Sequence, residues 1–142
     1  MKQAVLLLVI SGVIYAGVND LLFDAVRGAN VSRVKQVLQQ KPNINFQDKY
    51  GRTALYEAAF RGSREIVSLL IQSGADTNIR TKTGYTALMI AAERGHKEAV
   101  KVLIAAKAYV NYKNNQQISA VMLAKFNGHI EIVQLLKAAG AD

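Results

Sequence analysis

Short apolar runs separated by polar turns recur along the chain at a fixed spacing. In residues 48–80, apolar positions at helical spacing predict two short helices, one around Leu55 and Ala58 and another around Ile66 and Leu70. Residues of the same kind return 33 positions apart, and these are Leu22, Leu55, Leu88 and Val121; Ala58, Ala91 and Ala124; Gly62, Gly95 and Gly128; and Asn45, Asn78 and Asn111. The pattern predicts about four helix pairs, near residues 18–47, 48–80, 81–113 and 114–142.

Single residues mark where these helices begin and end. Thr53 precedes the first helix of its unit, where a hydroxyl can accept from free backbone N–H groups. Gly62 is predicted to turn the chain between the two helices, and Gly74 to end the second helix in a left-handed conformation. The third unit has Lys107 at the position of Gly74. We therefore expect a left-handed lysine there, with a strain on the order of 1 kcal/mol.

The last unit differs from the others in one turn. Gln117 stands where the two preceding units have Gly51 and Gly84. A side chain is unfavourable in the conformations that glycine permits, so we expect this turn to be looser or differently shaped. On the last helix, Ile130, Val133 and Leu136 either face inward or form an exposed apolar surface and a possible dimer contact.

Two segments resemble the ankyrin repeat consensus, G-x-T-P-L-H-x-A-A-x-x-G-H-x-x-x-V-x-x-L-L-x-x-G-A-D-x-N. They are GRTALYEAAFRGSREIVSLLIQSGADTN and GYTALMIAAERGHKEAVKVLI, and the similarity extends over residues from about 19 to 142. The resemblance implies an all-α repeat solenoid of helix–turn–helix units, with β-turn or hairpin loops projecting at one edge. It also implies a binding role rather than catalysis. The proline and first histidine of the consensus are absent, since Ala54 and Tyr56, for example, occupy those positions.

Residues 1–17 have a different character from the rest. Lys2 precedes an apolar run over residues 4–14, and small residues at Ala16 and Gly17 could permit cleavage. This is the form of a secretory signal peptide, and it is shorter than the ~20 residues of a membrane span. We therefore predict a cleaved signal, followed by a repeat domain over 18–142 in the periplasm of a bacterium or secreted. The alternative is an apolar helix that is retained as a cap, in a cytoplasmic protein.

The net charge and the lack of cysteine restrict the classes of partner and of reactive site that the chain could have. The formal net charge of +8 favours partners with an acidic surface but is not enough to indicate nucleic acid. The absence of cysteine excludes thiol catalysis and thiolate metal sites.

Other catalytic or metal-binding sets are not evident. His96 and His129 belong to the Gly-His dipeptide of the family, where the resemblance implies that the ring bridges backbone groups of neighbouring turns. The glutamates are predicted to lie on different units and mostly on solvated faces, and these are Glu57, Glu93, Glu98 and Glu131. We therefore expect no enzyme, no cofactor and no metal site.

The resemblance further implies that the turn tips and the exposed residues of each first helix line a concave groove. Carried over unit by unit, the candidate partner-binding residues are Lys49, Tyr50, Arg52, Phe60 and Arg61; Lys82, Thr83, Tyr85, Glu93 and Arg94; and Asn115, Gln116, Ile118, Phe126 and Asn127. Large aromatic residues next to arginine are typical of protein-binding hot spots. The alternative interpretation is a solvated face that varies without consequence.

The sequence thus predicts a monomeric module that binds a partner protein through this groove. The second hypothesis is a basic solenoid that binds a polyanion or an anionic cell-envelope surface.

Overall fold

The computed structural model describes residues 12–142, with side chains described from residue 17 onward. The predicted signal peptide therefore lies outside the described residues, apart from the backbone of its last few positions. Within 12–142 the chain forms eight α-helices, which are α1 Gly12–Arg27, α2 Val31–Leu38, α3 Ala54–Arg61, α4 Arg64–Gln72, α5 Ala87–Arg94, α6 Lys97–Ala105, α7 Ala120–Phe126 and α8 Ile130–Ala138. None of the described helices is long and apolar enough to cross a membrane.

The helices stack in two rows. The first helices of the units, α1, α3, α5 and α7, pack on one another in sequence, and the second helices α2, α4, α6 and α8 do the same. β-Pairing in the described part of the chain is limited to an isolated bridge between Lys113 and Ser119. The prediction of an all-α repeat solenoid with four helix pairs is confirmed.

Small residues allow the first helices to approach closely. Ala58 and Ala59 of α3 and Ala91 and Ala92 of α5 are fully buried between neighbouring units. Each of these helices begins at a hydroxyl residue, since Thr53 accepts from the backbone N–H of Tyr56, as Thr86 and Ser119 do at equivalent positions. Apolar area between units, rather than a single centre, therefore stabilises the fold.

The two histidines join neighbouring units, as the resemblance implied. His96 Nε2 donates to the carbonyl of Phe60 at 2.9 Å, and His129 Nε2 donates to the carbonyl of Glu93 at 3.0 Å. The ring of His96 lies directly against Gly62, where a Cβ would come within 2.4 Å of Nδ1. Gly62 is therefore needed both for its φ of 73° and for the space that the imidazole occupies.

Backbone hydrogen bonds also connect the turn tips, by which we mean residues 48–51, 81–84 and 114–117. The N–H of Lys82 donates to the carbonyl of Tyr50, and the N–H of Asn115 donates to the carbonyl of Thr83, both at 3.0 Å. The side chain of Asn115 donates a further bond to the carbonyl of Lys82 at 2.9 Å. The tips consequently form one continuous edge.

The left-handed lysine is confirmed. Lys107 has a φ of 64°, and Gly74 at the equivalent position has a φ of 94°. Each residue follows the second helix of its unit, where the chain must turn toward the next unit.

The expectation of a looser turn at Gln117 is wrong. Its φ of 64° is left-handed, as are those of Gly51 at 78° and Gly84 at 83°. Its N–H donates to the carbonyl of Asn114 at 2.9 Å, as Gly51 donates to Asp48 at 2.8 Å. Gln117 therefore accepts the backbone strain, because the side chain of Asn114 holds the turn through the N–H groups of residues 116 and 118.

The helices of the last unit present a mixed surface. Leu136 is buried and Val133 partly buried, but Ile130 is 69% exposed and does not face inward. Lys125 is exposed at the position where Ala59 and Ala92 are buried between units. A charged side chain at this stacking position gives the end of the row a polar residue.

Candidate functional site

The deepest charged group on the face of the first helices is the carboxylate of Glu57. Its side chain is 6% exposed, and three arginines surround it. Arg52 Nη1 lies 3.4 Å from the carboxylate, Arg27 Nη2 lies 3.6 Å away, and Arg61 Nε lies 3.9 Å away. The arginine side chains are 31% to 40% exposed, so they connect a buried carboxylate to solvent.

These residues line a recess that we call the Glu57 cleft, with a volume of about 340 Å³. Its lining residues are Arg27, Arg52, Tyr56, Glu57, Phe60 and Arg61. Helix α1 supplies Arg27, and the remainder comes from α3 and the residues just before it. The cleft is therefore assembled across the junction of the first two units.

Asp48 fixes one of the arginines. Its Oδ2 accepts from both Nε and Nη2 of Arg52 at 2.9 Å. Burial alone would raise the pKa of Asp48, but hydrogen bonds from the backbone N–H groups of Arg52 and Tyr50, and from the guanidinium, lower it below its ordinary value. Arg52 is thus held beside the turn tip. Arg27 lies near both Glu57 and Asp24 and over the ring of Phe23, whereas Arg61 pairs with Glu57.

Aromatic rings lie beneath the cations on both sides of the cleft. The ring of Tyr50 lies 4.7 Å from the guanidinium carbon of Arg52 and 5.0 Å from Nζ of Lys49. The ring of Phe60 lies 4.4 Å from the guanidinium carbon of Arg94 in the next unit. These distances are within the range of cation–π attraction, so the rings and the charges form one surface.

The hydroxyl groups near the cleft remain protonated. Burial raises the pKa of Tyr56 to about 12, so its phenol can donate a hydrogen bond at any physiological pH. Burial and the neighbouring Glu93 raise the pKa of Tyr85, whose hydroxyl lies 3.3 Å from Glu93 Oε1.

The candidate residues of the second unit and part of the third come together. The surface around the Glu57 cleft holds Lys49, Tyr50, Arg52, Phe60, Arg61 and Arg94. Tyr85 contacts Glu93, the residue before Arg94.

The remaining candidates have other surroundings. Lys82, Thr83 and Asn115 use their backbone groups to join the turn tips, and Gln116 is exposed beside them. Phe126 is 73% exposed and makes none of the aromatic or cation–π contacts found among the described residues. The fourth unit therefore does not extend the cluster of aromatic and basic residues.

Three members of the cleft were missed by the sequence reasoning. Arg27 was not among the candidates, Tyr56 was interpreted as a replacement in the consensus, and Glu57 as a residue on a solvated face. The interpretation of Glu57 is wrong, because Arg27, Arg52 and Arg61 converge on it and cover it. A signal was present, since the same position holds Ile90 and Leu123 in the following units.

The arrangement is suited to anion recognition. Guanidinium groups over aromatic rings present planar donors that match a carboxylate. Among the residues that the structure describes, no group of three or more histidine, aspartate or glutamate side chains could hold a metal ion.

Comparison with known protein families agrees with the geometry. A family model described as ankyrin repeats, in three copies, matches the chain over residues 3–81, 21–114 and 73–142. No curated protein sequence matches the chain.

Proposed function

The chain belongs to the ankyrin repeat family, and from this premise we propose that it binds a partner protein through its first helices and turn tips. Ankyrin repeats are generally protein–protein interaction modules, and stacked repeats provide extended concave binding surfaces. The partner that suits this chain has an acidic surface, because the face concentrates Arg27, Arg52, Arg61 and Arg94 around exposed rings.

The observation that carries the proposal is the contact of Arg94 with Phe60, next to the Glu57 cleft. Arg94 is exposed, and Phe60 is half-buried because its side chain packs against the core. The guanidinium of Arg94 lies over this ring, an arrangement that the stack itself does not require. Arginine and aromatic residues dominate the binding energy of protein interfaces when they are buried by a partner. A face that served only for solvation would not need these pairs.

The test is affinity capture from the compartment in which the protein resides. We expect the double variant Arg61→Glu/Arg94→Glu to lose the captured partner, since reversal of two charges opposes an acidic surface. The matched control is Arg33→Glu/Arg64→Glu, which changes the charge equally at two exposed positions of α2 and α4. Capture that survives in the first variant, with both variants folded by circular dichroism, would contradict binding at this face.

We propose that the protein acts without catalysis and as a monomer.

The polyanion hypothesis predicts a different dependence of the affinity on salt concentration. Contacts to a phosphate backbone give an affinity that falls steeply with ionic strength. A protein interface that includes Phe60 and Tyr50 should retain much of its affinity at about 0.5 M salt, because apolar burial is not screened.

Export remains part of the proposal. A cut after Ala16 would shorten α1 but keep the buried residues Val18, Leu22 and Val26. Mass spectrometry of the mature N terminus decides the matter: a start near Gly17 supports a periplasmic or secreted protein, and a retained N terminus supports a cytoplasmic one.

A further inference from the structure

Glu57 occupies a position that the fold can fill with an aliphatic side chain. The equivalent residues are Ile90 in the third unit and Leu123 in the fourth. All three are buried to the same degree, with exposures of 4%, 5% and 4%. Placing a carboxylate at such a position costs free energy unless it is paired. The stack does not require this carboxylate, so we infer that it acts on the side chains around it.

Glu57 leaves two of its arginines with unused hydrogen-bonding capacity. Arg27 and Arg61 lie 3.6 Å and 3.9 Å from the carboxylate, which is attraction without a hydrogen bond. Arg27 Nη1 also lies 3.7 Å from Asp24 Oδ1, again beyond hydrogen-bond distance. Arg52, by contrast, is committed to Asp48. Glu57 therefore orients two guanidinium groups whose donors face the cleft.

We propose that the Glu57 cleft binds the carboxylate of an aspartate or glutamate side chain in an acidic peptide segment of the partner. The proposal rests on the proposed function and specifies what the face recognises. Arg27 and Arg61 donate to the incoming carboxylate, one from each side of the junction between the first two units. The phenol of Tyr56 is a third donor, and Phe60 provides an apolar wall for the carbon chain of the acidic residue.

The charges of the cleft favour a monoanion on a peptide over a phosphate. The two guanidiniums already have carboxylates beside them, Glu57 for both and Asp24 for Arg27, and these repel a second negative charge on the ligand. A dianionic phosphate would meet that repulsion in full. The rings of Tyr50 and Phe60 lie on either side of the cleft and offer apolar contacts to residues that flank the acidic one.

The experiment is a selection from a random peptide library displayed on phage, with the folded protein as bait. We expect the selected peptides to share an aspartate or glutamate. Replacing that residue by its amide in a synthetic peptide should weaken binding about tenfold or more, because a hydrogen-bonded charge pair is lost. In the variant Arg27→Gln/Arg61→Gln, acid and amide peptides should bind within about twofold of each other.

Two further variants show whether the preference for the acid depends on these two arginines. Arg33→Gln/Arg64→Gln removes the same charge from exposed positions outside the cleft, and it should keep the full preference for the acid. Arg27→Lys/Arg61→Lys keeps the charge and should keep part of that preference, and it replaces the glutamine variant should the latter fail to fold.

The outcomes separate the two proposals. Peptides that bind the first-helix face, mapped by NMR, but show no difference between acid and amide would overturn the cleft inference and leave the proposed function standing. The same holds for an acid preference that Arg27→Gln/Arg61→Gln leaves intact. A selection without binders, or with binders that map to another surface, would contradict both.

Discussion

The second and third units share one backbone but use their equivalent positions for different purposes. The second unit buries Glu57 and surrounds it with Arg27, Arg52 and Arg61. The third unit buries Ile90 at the same position. The residues equivalent to the three arginines are then Phe60, Tyr85 and Arg94, of which one is charged. One unit holds a charged network where the other has an apolar contact.

This difference shows which features belong to the fold and which were added to it. Buried alanines, capping hydroxyl groups and bridging histidines each recur in two or more units, so we assign them to the stack. The charged network appears once, although an aliphatic side chain would fill the same space. We therefore attribute it to recognition.

The largest effect should come from copying the carboxylate into the third unit. Ile90→Glu places a buried charge where one equivalent arginine, Arg94, is present and already lies over Phe60. The free energy of unfolding should fall by ~3 kcal/mol or more, since an unpaired buried charge is costly. Urea denaturation measures the change, and Ile90→Val, expected to lose ~1 kcal/mol, is the control for size. A loss no larger than that of the valine variant would mean that the arginines are not needed to offset the cost of burying Glu57.

A smaller effect is expected where the two units differ in their backbone. Lys107→Gly should raise the free energy of unfolding by ~0.5–1 kcal/mol, because glycine adopts the φ of 64° without the strain of a side chain. Gly74→Lys should lower it by a similar amount, as the space around Gly74 is open and strain alone decides. Thermal denaturation followed by circular dichroism compares both variants with the parent. An unchanged melting temperature in both would remove backbone strain as a difference between the units.

The smallest effect should be on the free energy of unfolding at acidic pH. The pKa of Asp48 is below its ordinary 3.8 in the folded chain. Asp48 therefore stabilises the fold above that pH, and this contribution is lost as the pH falls through the folded value. Asn114 holds the equivalent turn of the fourth unit with a neutral amide. Asp48→Asn should accordingly make stability decline less steeply between about pH 5 and pH 2 in urea titrations. Parallel curves for variant and parent would show that Asp48 contributes nothing to the acid sensitivity.

The sequence predicted most of the fold, because repetition exposes the contacts that every unit must make. The bridging role of His96 and His129 was implied by the family resemblance, and the structure confirms it. Gln117 was misjudged, because the side chain of Asn114 accepts the same two backbone hydrogen bonds in its turn that Asp48 accepts in the turn of Gly51. Strain at a single residue says little about a turn whose hydrogen bonds are supplied by a neighbour.

The candidate site was predicted in part. The aromatic and basic residues of the second unit were identified because they lie where the family binds its partners. Glu57 and Arg27 were not, since the burial of a carboxylate depends on side chains that converge from residues 27 to 61. Comparing Glu57 with Ile90 and Leu123 would have marked the position as unusual, but not the arginines that pair with it.

The most direct test of the attribution to recognition is the free energy of unfolding of Glu57→Leu. Leucine is the residue of the fourth unit at this position, and the arginines are exposed enough to be hydrated once the carboxylate is gone. Urea denaturation should show a stability within ~1 kcal/mol of the parent, or higher, because the cost of burying the carboxylate is removed while the partly exposed arginines regain contact with water. A loss of ~2 kcal/mol or more would show that Glu57 stabilises the fold, and would contradict the assignment of the network to recognition.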